Sequence, residues 1–422
     1  MKTVCSWLGL ISISVSCGLV EGADWPGWRG KDGLGISPEK DVPLEWAKDR
    51  NVAWLRPLPG RGASSPVIVG DRIYVTTQTE DQGLHVLALA REDGSVAWDV
   101  EVGRGRLPSH DLHNMATPTP VSDGRNLWVM FGTGDLACLG SDGSVRWRRN
   151  LSKEFGPLKT NHGFGPSPVL EGGRLFVVRM HQGPDSYVMA IDAETGKDVW
   201  KKDRSYPAKD EGKDSYSTPI LHRWGGRTEL VVAGAEALDA YDPATGERLW
   251  RLGGLGVPHP YGRTIAGPVA ADGVVIAVAS GFQNRGYTVA VKAGAKGEVP
   301  SDGRLWTSTR FSTDCPTPVV VDGMVFSIRD DGMASCLDLK TGEARWQERL
   351  FTDNVKVSPV AAAGRVYFTS GQGNTVVVKA SPKLEVLARN QLNEYTVSTP
   401  AIAHGRFHVR TEAGLRAIGT KP

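Results

Sequence analysis

The chain has 422 residues, 40% of them hydrophobic and 23% charged, so it can bury a sizeable core and is too apolar to be disordered as a whole. Lys plus Arg number 49 against 47 Asp plus Glu, a net of +2, which leaves no broad electrostatic attraction for nucleic acid or an anionic bilayer. With 51 Gly and 26 Pro and no collagen period, the composition predicts many turns and hence many short strands.

Residues 1–22 have the order of an export signal: Met1-Lys2, an apolar stretch from Trp7 to Val15, then small residues up to Gly22. The expected destination is the periplasm or cell envelope. Ser14-Val15-Ser16-Cys17 has no Leu three positions before the cysteine, so plain secretion is expected over a lipid anchor at Cys17. No later stretch reaches the roughly 18 uninterrupted apolar residues of a transmembrane helix. Residues 23–50 read as an N-terminal extension before the main fold, and deleting only Asp24 to Lys40 is expected to be milder than deleting through Leu58, which also removes the strand that follows.

From residue 51 onward the chain repeats. Pro66, Pro120, Pro168, Pro219, Pro268, Pro318, Pro359 and Pro400 recur with a mean period of about 48 residues, the range of propeller blades. Each Pro precedes a short apolar run, a Gly or Asp turn and a second apolar run, as at Ile73-Tyr74 and Val325-Phe326. Six repeats end in a Gly hairpin followed by Trp98, Trp147, Trp200, Trp250, Trp306 or Trp346. The pattern predicts four antiparallel strands, A to D, with Gly reaching positive φ in the C–D hairpin and Trp in strand D. In the fourth repeat His222-Arg223-Trp224-Gly225-Gly226 lengthens the A–B turn, and in the seventh Pro382-Lys383-Leu384 replaces Gly and Trp, marking a degenerate blade. The eighth stops three strands in, while Asn51-Val52-Ala53-Trp54-Leu55 is a strand D without its own A to C. Joining the two gives residues 51–422 as an all-β, eight-bladed propeller closed by its N-terminal strand.

Ala190-Ile191-Asp192-Ala193-Glu194-Thr195-Gly196 to Trp200 and Ala240-Tyr241-Asp242-Pro243-Ala244-Thr245-Gly246 to Trp250 share AxDxxTGxxxW, with an altered copy from Leu337 to Trp346. This resembles the tryptophan-docking motif of the pyrroloquinoline quinone (PQQ) propeller superfamily over about Trp54 to Ile418. The opening Asp24-Trp25-Pro26-Gly27-Trp28-Arg29-Gly30 also resembles the start of exported bacterial PQQ-like repeat proteins. The resemblance implies that Trp54, Trp98, Trp147, Trp200, Trp250, Trp306 and Trp346 pack between blades as structural residues. For function it implies either a PQQ- and Ca²⁺-dependent alcohol or sugar dehydrogenase, or a cofactor-free scaffold like the outer-membrane β-barrel assembly lipoprotein.

The residues favour the scaffold. Dehydrogenases of this superfamily commonly hold a disulfide of adjacent cysteines against the quinone, and Cys138, Cys315 and Cys336 are not adjacent to one another. Cys315, read as starting strand A, and Cys336 in strand C of the same blade would stand about 9.5 Å apart, beyond disulfide reach. All three are therefore expected reduced and buried. His110-Asp111-Leu112-His113 offers an HxxH pair but no third ligand in sequence, so it reads as a solvated loop with no metal. GxSxG, Walker A and HExxH motifs are absent.

Strand order puts the D–A and B–C connections on one face, beside the channel. Arg61, Asn114, His162, Asp214, Arg263, Asp314, Lys356 and Tyr395 should ring this mouth as a polar binding funnel. Longer insertions at Gly103–Met115, Ser205–Ser215 and Leu255–Thr264 join it on the same face. The reading is a non-catalytic scaffold with no cofactor, binding an envelope protein or peptide segment and no nucleic acid. A quinone dehydrogenase and a carbohydrate-binding propeller are the alternatives.

Overall fold

Directly after each proline, whose missing N–H suits the start of a strand, an innermost strand A of two to five residues begins, as at Val67–Val69, Val121–Ser122 and Ile220–Trp224. The computed structural model describes residues 22–280 and 286–420; the export-signal stretch before Gly22 and Cys17 lie outside them. Seven blades follow chain order from the axis outward, as in Val67–Val69, Arg72–Gln78, Gly83–Ala90 and Val96–Arg104 of blade one. In blade eight, Ala401–Ala403, Arg406–Thr411 and Gly414–Ile418 are completed by Val52–Arg56, which pairs antiparallel with the last of them, Trp54 facing Ala417. The ring closes through the N-terminal strand, as the sequence predicts.

The tryptophan positions explain the recurrent small residue in strand C. Each Trp sits beside a bulge and pairs with Ala88, Cys138, Ala190, Ala240, Ala290, Cys336 or Ala417. Cys138 and Cys336 thus fill a slot that otherwise takes alanine, which accounts for both. The indoles of Trp98, Trp147, Trp200 and Trp306 donate Nε1–H to carbonyls of the next blade, at Ser141, Ala193, Pro243 and Leu339, over 2.9–3.1 Å. The hairpin glycine of that next blade has positive φ and lies under the ring. A Cβ at Gly196 would stand 2.8 Å from Trp147, so the glycine is required twice over.

Two blades depart from this scheme. In blade four, Trp250 is fully buried and turns its Nε1–H onto Glu229 of its own blade at 3.1 Å, while Gly297–Glu298 adds a fifth, parallel strand beside it. Trp250 therefore does not make the cross-blade bond of its counterparts. The lengthened A–B hairpin brings Trp224 over instead, against Gly273 and Gly294 of blade five. In blade seven Ala388 holds the tryptophan position, opposite Val377. The blade keeps four strands, and its missing indole comes from the extension: Trp46, 2% exposed, packs on Tyr367 and Phe407 with centroids 6.4 and 5.0 Å away. Its backbone N–H donates to Asn390 Oδ1 at 2.8 Å, while its indole Nε1 is buried with no hydrogen-bond partner among the described residues.

The extension, expected only as a segment preceding the propeller, packs against several of its blades. Trp25 exchanges backbone hydrogen bonds with Ile68 of blade one, Pro26 O accepts from Ser122 of blade two, and Ile36 bridges Ala361 of blade seven. Arg29, fully buried, donates to Thr317 O and Pro318 O of blade six and Pro359 O of blade seven. Burial lowers its pKa to about 9. These contacts carry the segment across the end of the channel where the A–B turns lie.

Candidate functional site

The residue before each proline is Ser or Thr in every repeat but one: Ser65, Thr119, Ser167, Thr218, Thr317, Ser358 and Thr399, with Gly267 the exception. These hydroxyls clasp neighbouring blades around the axis. Thr119 Oγ1 accepts from Ser65 N, Ser167 Oγ from Thr119 N and Thr218 Oγ1 from Ser167 N, at 2.9–3.0 Å. Gly267 N and Thr317 N donate on to Thr317 Oγ1 and Ser358 Oγ at 2.8 and 3.0 Å. At Gly267 the position is taken by the Trp28 ring, whose Cη2 lies 3.1 Å from where a Cβ would stand. This ring of hydroxyls was readable from the Ser/Thr-Pro repetition.

Above it lies a cavity of about 650 Å³ with Trp28 as its floor. Trp28 also walls a smaller pocket of about 200 Å³ on the far side, beside Lys31 and Asp32. The channel is therefore stopped at one end by the chain's own extension and reachable from the mouth formed by the D–A connections.

Of the eight residues expected to ring this mouth, His162, Arg263 and Lys356 line the cavity. Arg61, Asn114 and Tyr395 instead line an adjoining pocket of about 370 Å³ between blades eight, one and two, which shares Ala63, Leu112, His113 and Val397 with the cavity. Asp214 and Asp314 correct the expectation, because both sit behind the cavity wall. Asp214 is fully buried, its Oδ2 accepting from Gln182 Nε2 at 3.0 Å and Tyr216 OH at 3.2 Å. Asp314 pairs with Arg263 Nη2 at 3.2 Å. The insertion Ser205–Ser215 likewise folds inward through the turn Asp210–Lys213 and buries Glu211. His162 Nε2 lies 3.1 Å from Glu211 Oε1, with Arg263 Nε at 3.7 Å.

The electrostatics follow from this packing. Burial raises the Asp214 and Asp314 carboxyls to about 6. It lowers His162 despite Glu211 and takes His113 to about 4, so these two imidazoles are neutral near pH 7. Lys356 is ion-paired to Asp330, whose other oxygen accepts from Asp314 N and Cys315 N at 3.2 Å. Against the cost of burial, the neighbouring Asp330 and Asp314 carboxylates hold the ammonium in its charged form.

Sequence reasoning missed three contributors. The loop that carries His110 and His113 is solvent-exposed at His110 and Asp111, as expected, yet both histidines line the cavity, where His110 meets His162 edge-on at 5.4 Å and His113 lies 6.3 Å from Tyr216. His162 comes from the next D–A connection, about one repeat period on, so aligning the repeats would have brought the three together. Cys315 precedes strand A (Val319–Val321) rather than starting it and lines the cavity half-buried, not fully buried, while Cys138 and Cys336 are buried. All three are free thiols.

The family model described as outer membrane protein assembly factor BamB matches residues 44–153 and 85–348. The BamB of Yersinia pestis is 25% identical over 323 residues, 75% of this chain and 76% of that protein. Among solved structures, BamB of Moraxella catarrhalis superposes with a TM-score of 0.61 at 14% identity, over 86% of this chain and 96% of that one. The quinohemoprotein alcohol dehydrogenase of Comamonas testosteroni gives 0.65 at 14% identity, over 93% and 80%. At such identities the structural likenesses show the propeller alone.

Proposed function

The chain belongs to the PQQ-like propeller family described as outer membrane protein assembly factor BamB, and from that membership and the cavity's geometry we propose that it is an exported, non-catalytic scaffold receiving a segment of an envelope protein at its open channel mouth. The observation that carries this reading is the one-ended channel. With Trp28 and Arg29 sealing the far side, the cavity admits a side chain or loop tip from one direction, between polar walls held rigid by the blade clasps.

The quinone alternative is supported by the likeness to a quinoprotein dehydrogenase, but the donors around the cavity fit a quinone with Ca²⁺ poorly. Among the described residues one group brings three potential ligand atoms within 4.8 Å of one another: Asp314, Cys315 and Asp330. A thiol is a soft ligand for a hard cation, and the Lys356 ammonium already neutralises Asp330. Asp314, the carboxyl nearest a general-base role, is engaged by Arg263.

Photocrosslinking in the native envelope tests the scaffold. Probes replacing Asn354 and Tyr261, exposed residues that line the cavity, should capture one discrete envelope protein, and a probe at Lys31 on the sealed side should not. Capture from Lys31 alone would overturn the site. Stoichiometric quinone uptake with Ca²⁺ and dye-linked alcohol oxidation would overturn the non-catalytic reading.

A further inference from the structure

The second pocket, off the axis, contains a cation with no counter-charge. Arg410, on the second strand of blade eight (Arg406–Thr411), is 4% exposed and lines the pocket of about 370 Å³. Both of its hydrogen bonds leave from Nη1, to Thr76 O at 2.6 Å and Ser64 Oγ at 3.0 Å. No carboxylate among the described residues pairs with it. Glu394, the nearest buried acid on the same blade, is committed to Arg416 and Thr411. Burial alone perturbs the Arg410 guanidinium, pulling it to about 10.

The surroundings keep space for this group. A Cβ at Gly62 would stand 2.6 Å from Arg410 Nη2 and 2.7 Å from Nη1, so the glycine after Arg61 is what lets the guanidinium lie there. Arg61 brings a second cation at the rim, its Nη2 reaching only a backbone carbonyl, Asp111 O, at 3.4 Å. One acid lines the pocket, Glu412, exposed and with Oε1 accepting from Tyr395 N at 3.2 Å. Two arginines against one glutamate leave one positive charge, which suits a monoanion better than a phosphate dianion. A buried guanidinium satisfied on one nitrogen has its remaining N–H groups to offer a planar acceptor, and forked pairing with carboxylate is the strongest use of them. Leu58, Leu112 and Val397 supply apolar wall beside it.

We propose that the pocket between blades eight, one and two is a carboxylate-binding site, in which Arg410, with Arg61 at the rim, takes the carboxylate of a polypeptide C-terminus or of a small organic acid carrying an apolar group. This goes beyond the channel-mouth reading and stands or falls separately from it, because none of the crosslinking positions lines this pocket.

The test is a titration of the full mature chain with N-acetyl-leucine, its amide, N-acetyl-Ala-Ala-Leu and inorganic phosphate, by calorimetry and by the arginine Nε–H resonances. N-acetyl-leucine should bind saturably in the millimolar range or tighter, the amide and phosphate at least about ten-fold more weakly. The Arg410 Nε–H resonance should shift on binding. Arg61→Ala, an exposed change that leaves the fold intact, should weaken binding about three-fold or more, and Arg410→Lys should weaken it further by removing the planar fork. If the Arg410 variant fails to fold, the wild-type resonance and Arg61→Ala decide the matter. A tripeptide that binds more tightly than the free acid identifies a chain terminus, and equal binding a small acid. Equal affinity for acid and amide, an unmoved Arg410 resonance, or undiminished binding by Arg61→Ala would overturn the proposal.

Discussion

Replacing Gly267 with serine restores the residue type found before the proline in the other seven repeats, and it should nonetheless bring little or no gain in stability. The new Cβ would stand 3.1 and 3.3 Å from Trp28 Cη2 and Cζ3 and 3.3 Å from Thr218 O, where carbon contacts are optimal near 3.5–4.0 Å. Forcing the indole back costs about 1–3 kcal/mol, as overpacking does. Against this, the hydroxyl would give Thr218 N an acceptor that none of the described residues supplies, worth about 1 kcal/mol, and the loss of a glycine restricts the unfolded chain by about 0.5 kcal/mol. Gly267→Ser should therefore be near neutral, between about 0.5 kcal/mol stabilising and about 1.5 kcal/mol destabilising. With Trp28→Ala the obstruction is gone, and the same serine should stabilise by about 1–1.5 kcal/mol. The double-mutant cycle, read from urea midpoints by far-UV circular dichroism because an indole is removed, should give a coupling of about 1–3 kcal/mol. Identical effects of Gly267→Ser in both backgrounds, within about 0.5 kcal/mol, would refute the claim that this glycine exists to admit Trp28.

Trp46→Ala should cost about 3–5 kcal/mol, as much as Trp306→Ala, although Trp46 lies outside the repeats; a loss under about 1 kcal/mol in denaturant titration would show that blade seven does not depend on it. Asp214 and Asp314 hold their protons up to about pH 6 in the folded chain, against about 3.9 unfolded. Their contribution therefore falls as pH rises from about 4 to 6, by up to about 3 kcal/mol for each site, and Asp214→Asn should flatten that window in melts across pH; an unchanged profile would contradict the buried, raised carboxyl. Cys138 and Cys336, pushed to about 12 by burial, and Cys315, raised well above its ordinary value, should resist iodoacetamide at pH 8 until the chain is denatured, and rapid native labelling of Cys315 would show its thiolate to be stabilised in the cavity.

The fold was legible because its determinants are local and repeated. Each Pro, hairpin Gly and docking Trp acts within one repeat or on the next, so spacing alone placed the strands and even the closure between Trp54 and Ala417. The site was legible only in part, because it is assembled from D–A connections of different blades. The funnel residues were assigned from their distance to the proline, which fixes the loop they sit on but not the way the side chain turns. Lys356 points into the cavity, while Asp214, on an insertion that curls back, is drawn under it by Gln182 and Tyr216. The packing of the extension was not legible for a related reason. Its partners, Thr317, Pro318 and Pro359 for Arg29 and Tyr367 and Phe407 for Trp46, lie some 290 to 360 residues away, and no periodicity links it to them.

The irregularities of the repeats and the contents of the extension are complementary. Blade eight lacks its outer strand, and Val52–Arg56 supplies it. Blade seven carries Ala388 where a docking indole belongs, and Trp46 fills that interface. Blade five has Gly267 where the hydroxyl clasp would continue, and Trp28 occupies the space. Left unfilled, these positions would expose a strand edge, leave a cavity the size of an indole, or open a void beside Gly267, all of them costly. Because one continuous segment mends all three, it cannot leave the ring at one point without loosening the others, and Arg29 pins its middle to blades six and seven. A ring so tied on one side has its freedom on the other. Among the described residues the D–A connections at the open mouth carry no such strap, and it is there that the cavity, its histidines and the uncompensated Arg410 are found.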